Sequence, residues 1–86
     1  MEQYKMIKHV LSTEKSIRLM EMENKLVFVV NTTSTKNEIK KAIEEMFKVE
    51  VDSVNTFVTA NSEKRAYVKF SAKNPAIDIA TKMGII

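Results

Sequence analysis

The residues best able to act together in this chain are Asn55, Phe57, Thr59, Arg65, Tyr67 and Lys69, which alternate along two strand-like stretches. From Val51 to Ala60 and from Arg65 to Phe70 the pattern is that of strands, and Asn61, Ser62 and Glu63 between them are turn formers. A turn centred on Ser62 makes a hairpin with Phe57 opposite Tyr67, Thr59 opposite Arg65 and Asn55 opposite Lys69. Successive side chains leave a strand on opposite sides, so these six share one face. Two rings, a guanidinium, an ammonium and two small hydrogen-bonding groups match RNA-binding chemistry: bases or riboses rest on the rings, and the cations hold phosphates. The same pattern suits a half-buried sheet covered by the first helix, with Phe57 and Tyr67 as ordinary core. Composition alone leaves both readings open.

Other groups offer less. One histidine, no cysteine and no Gly-rich phosphate loop exclude the commonest nucleophile, metal and nucleotide arrangements, so no catalytic residue, metal site or cofactor is expected. Glu44 and Glu45, adjacent on a helix, diverge by about 100° and read as a solvated face. His9 beside Lys8 reads as a surface or packing residue. Of the six methionines, Met46 lies on an apolar helix stripe, and Met20, Met22 and Met83 stand beside other apolar residues, which favours core filling. Glu14 and Lys15 fit a helix start, where an acid is favoured by the dipole.

The elements that must position the hairpin can be read in turn. Thr35 and Glu38 form a capping box, and Ile39, Ala42, Ile43, Met46 and Phe47 draw one apolar stripe with Lys36, Lys40 and Lys41 elsewhere on the wheel. An extended start is expected at Tyr4 to Ile7. Ser12 or Thr13 then caps a helix carrying Ile17, Leu19 and Met20, which ends near Glu23 with a turn at Asn24. Leu26 to Val30 is an unbroken apolar run and predicts a central strand covered on both faces. The hairpin's second face, with Val54, Thr56, Val58, Ala60, Ala66, Val68 and Phe70, suits packing under helices. Asn74 and Pro75 start a last short helix through Ile77, Ala80 and Met83, and Gly84 stops it. The predicted fold is α+β: one domain over 1–86, an antiparallel four-stranded sheet with packed helices in the order β-α-β-α-β-β, then a short C-terminal helix.

At 86 residues the chain buries only roughly 60 to 65% of its unfolded surface, which leaves little room for a deep substrate pocket. No run approaches the roughly 20 apolar residues of a membrane span, and the first residues lack a signal peptide's apolar region, so a soluble protein of a reducing cytoplasm is expected. Fourteen Lys and Arg against eleven Asp and Glu give a net charge of +3 and a pI near 9.2, which suits an anionic partner. The stretch holding Lys64, Arg65, Lys69 and Lys73 has no acid after Glu63.

VLSTEKS at 10–16, NKLVFVV at 24–30, TKNEIKKAIEEMFKVEVDSVNT at 35–56 and KRAYVKF at 64–70 together resemble the large-subunit ribosomal protein twenty-three family in its compact archaeal form. The resemblance implies a structural constituent of the large subunit, bound to ribosomal RNA at the polypeptide tunnel exit beside neighbouring ribosomal proteins, and a monomer when isolated. Thr13 and Lys15 look like RNA-contacting positions, and the expected RNA surface comprises Thr13, Lys15, Lys36, Lys40, Asn55, Thr59, Lys64, Arg65, Tyr67 and Lys69. Glu14 corresponds to the acidic residue on which factors that receive the nascent chain dock, such as the signal recognition particle. A second acidic docking position of bacterial relatives is Lys48 here, and Val10 stands where the family often has Pro. The long hairpin that lines the tunnel in bacterial relatives is absent. The competing class is a free-standing α/β module that binds a protein or small ligand as a dimer; a small hydrolase lacks any convergent nucleophile and base.

Overall fold

The computed structural model describes residues 7–83. Four strands, β1 (Ile7–Val10), β2 (Lys25–Val30), β3 (Val51–Val58) and β4 (Lys64–Phe70), form one antiparallel sheet in the order β1-β2-β4-β3. Three helices, α1 (Glu14–Glu23), α2 (Lys36–Phe47) and α3 (Ala76–Lys82), complete the predicted element order. Leu26, Phe28 and Val30 of β2 and Ala66, Val68 and Phe70 of β4 point to one side, where Met20, Ile39, Ala42, Ile43, Ile79 and Ala80 bury them in a single core.

Local chemistry sets the helix ends. Thr13 Oγ1 accepts from the Ser16 N–H at 3.2 Å, and Ser16 Oγ accepts from the Thr13 N–H at 2.8 Å, a capping box in which serine replaces the usual acid. Thr35 and Glu38 close the expected box at 3.2 and 2.9 Å. Asn24 and Lys48 end α1 and α2 in the left-handed region, each at φ 57°. Pro75 offers α3 no side-chain cap. Asn24 Oδ1 supplies one across the fold, accepting from the Ala76 N–H at 2.6 Å.

Several expectations need correction. The extended start is β1 at Ile7–Val10, with Tyr4 to Met6 outside the described residues, as is Gly84. The hairpin centres on Asn61, not Ser62: Ser62 takes the left-handed position of a three-residue loop at φ 62°, and the Thr59 N–H donates to the Glu63 carbonyl at 2.8 Å. Each partner therefore moves by two residues, to Phe57 opposite Arg65, Asn55 opposite Tyr67 and Ser53 opposite Lys69. A shift of two preserves the face. Val58 is 55% exposed and Ala60 is exposed, since the hairpin tip extends past the helices. Met22 is 78% exposed on the outside of α1, and Ile17 and Ile77 also face outward. Glu44 is more than a solvated acid, because its Oε2 accepts from the Val51 N–H at 3.1 Å where β3 begins.

Candidate nucleic-acid interface

The sheet's second face is laid out in three rows by the strand register. His9, Val29, Arg65 and Phe57 stand side by side; next come Val27, Tyr67 and Asn55; then Lys25, Lys69 and Ser53. Val27 and Val29 are buried although α2 and the core lie on the other side. Val27 shares a cleft of about 50 Å³ with Leu11, Thr13, Lys15, Leu19, Arg65 and Tyr67. The first helix therefore borders this face at Val27 and Tyr67 while its Met20 enters the main core.

Rings and cations alternate across what remains open. The Phe57 and Tyr67 rings lie 6.0 Å apart at 33°, as diagonal neighbours on adjacent strands, with Phe57 49% exposed. Arg65 Nε donates to Glu63 Oε1 at 2.9 Å. Lys69 is exposed directly opposite Lys25, a like-charge pair that costs energy in a bare sheet and is eased here by the Glu23 carboxylate 3.1 Å from Lys25 Nζ. An anion laid across this row would relieve it further.

The expected site residues divide into groups. Arg65, Tyr67, Lys69 and Asn55 share the face, and the cleft brings Thr13 and Lys15 to its edge. Thr59 sits in the turn, where its hydroxyl accepts from the Glu63 N–H at 3.2 Å. Lys64 lies apart from these: it falls on the helix-covered side, and its Nζ donates to the Ser34 carbonyl at 2.5 Å beside the start of α2. Lys36 and Lys40 are exposed on α2, in the layer across the sheet from Arg65 and Tyr67. His9 and Lys25 also stand on this face, a placement that sequence alone does not show. The alternation that places them is hidden by the unbroken apolar run of β2, although the position of His9 opposite Val29 follows once β1 is known to pair.

Glu14 is the first residue of α1. Its side chain is 91% exposed, 3.6 Å from the Arg18 guanidinium one turn on. Beside it a shallow groove of about 460 Å³ runs along α1, floored by Leu19 and Met22 and flanked by Lys15, Arg18 and Glu23. Lys48 lies exposed at the end of α2. No helix among the described residues is long and apolar enough to cross a membrane.

The family model for ribosomal protein L23 matches residues 5–81, which takes in all four strands, α1, α2 and all of α3 but its last residue. The chain belongs to this family. A large ribosomal subunit protein uL23 of the archaeon Pyrobaculum aerophilum is 41% identical over 81 residues, covering 94% of this chain and 100% of that protein. The likeness thus spans both the helix-covered core and the open face, with the short hairpin included.

Proposed function

We propose that the open face binds large-subunit ribosomal RNA near the polypeptide tunnel exit. Membership of the family makes the chain a structural constituent of the large ribosomal subunit, and the proposal concerns how it is held there. One observation carries it: Arg65, Tyr67, Lys69 and Asn55 share a face with Lys15 and Thr13 at its rim, while the apolar core faces the other way. Rings flanked by cations take bases and phosphates together. The test is Arg65→Glu with Lys69→Glu. Binding to deproteinised large-subunit ribosomal RNA is expected to collapse, with a salt slope about two units shallower for any residual binding. Wild-type affinity in the pair would contradict the assignment.

Beside that RNA role, we read Glu14 as a docking residue for exit-site factors such as the signal recognition particle, supported by its exposure next to the apolar groove of α1. Glu14→Gln removes the charge and keeps the size. RNA binding and folding are expected to stay intact, while recruitment of the particle to large subunits weakens. Unchanged recruitment at physiological salt would leave Glu14 as a helix-start residue only.

A further inference from the structure

Glu63 is the one acid inside the basic hairpin segment, and simple electrostatics makes it a liability on a face that binds RNA. Its geometry suggests otherwise. Glu63 directly precedes β4, and its carboxylate reaches the guanidinium of Arg65 two residues on. The Glu63 backbone is held at both ends: its N–H donates to Thr59 Oγ1 at 3.2 Å, and its carbonyl accepts from the Thr59 N–H at 2.8 Å. From this fixed stem Oε1 takes only the Nε–H of Arg65, at 2.9 Å, and both side chains are about one-third exposed. The two Nη groups have no partner among the described residues.

We propose that Glu63 is a positioning residue that holds the Arg65 guanidinium by its Nε edge and leaves both Nη groups free for one phosphodiester of the RNA backbone. This inference rests on the RNA-binding function proposed above. The paired Nη donors fit two phosphate oxygens at once. A long side chain ordered before binding loses less freedom on binding, so an acid that orders it strengthens the complex despite its charge. Charge alone predicts the opposite sign, and that separates the two accounts.

The experiment is a double-mutant cycle of Glu63→Ala and Arg65→Lys, with binding to deproteinised large-subunit ribosomal RNA measured over a series of potassium chloride concentrations. Although Glu63→Ala adds a net positive charge, it is expected to weaken binding by about three- to tenfold. In the Arg65→Lys background the same substitution should weaken nothing, because lysine has no Nε–H to hold. Binding by Glu63→Ala as tight as wild type or tighter would overturn the proposal. So would equal weakening in both backgrounds, which is the mark of a general loss of fold. If Arg65→Glu with Lys69→Glu leaves RNA binding intact, the RNA reading of the face itself fails; if that pair fails to bind and Glu63→Ala binds normally, only the role of Glu63 is lost.

Discussion

Asn24 shows how much one side chain can do in a chain of this length. It ends α1 in a left-handed conformation that asparagine tolerates better than most residues. Its Nδ2 also lies 3.1, 3.1 and 3.2 Å from the carbonyls of Phe70, Ser71 and Asn74, and its Oδ1 caps α3. One amide thus joins the end of the first helix, the end of β4 and the start of the last helix. Asn24→Ala is expected to cost about 2 to 4 kcal/mol, read from the urea midpoint. Asn24→Gly keeps the backbone conformation but loses the same bonds, so it should fall well below wild type as well. A glycine variant as stable as wild type would assign the whole effect to backbone strain. From the sequence, Asn24 is legible as a turn. Its tertiary role is not, because its partners lie some fifty residues on and no local pattern points to them.

At the scale of elements, the helices and strands whose signals are local could be read directly. Thr35 and Glu38 start α2 as predicted, and the stripe of Ile39, Ala42 and Ile43 is fully buried, with Met46 and Phe47 partly buried against it. Ile43→Ala is therefore expected to lose about 3 kcal/mol or more in chemical denaturation, and partly exposed Phe47 less than a fully buried phenylalanine would. A change in Ile43→Ala below about 1 kcal/mol would contradict this register of α2. The hairpin was harder. Its strands and faces were legible from alternation, but the pairing depends on which loop residue adopts positive φ, and neither Asn61 nor Ser62 carries a glycine's signature there. Exposure at Met22 and Val58 is not legible in the sequence for a related reason: Met22 faces out from α1 and Val58 stands at the end of β3 next to the hairpin loop, and sequence neighbours report neither.

For the whole molecule, the sheet works as a partition. One side holds the core against α2 and α3, and the other presents rings and cations in register across β4 and β3. The basic residues expected to act together were legible by type, yet type alone could not separate Lys64, Lys36 and Lys40, which belong to the helix side, from Arg65 and Lys69. That division yields the most direct test. Hydroxyl-radical labelling of the free protein and of the same protein within assembled large subunits reports the solvent exposure of each ring and thioether. Phe57 and Tyr67, on the open face of the free protein, are expected to become strongly protected in the subunit, while Met22 on the outer side of α1 stays reactive. Phe57 and Tyr67 labelled as fast in the subunit as in the free protein would contradict that division.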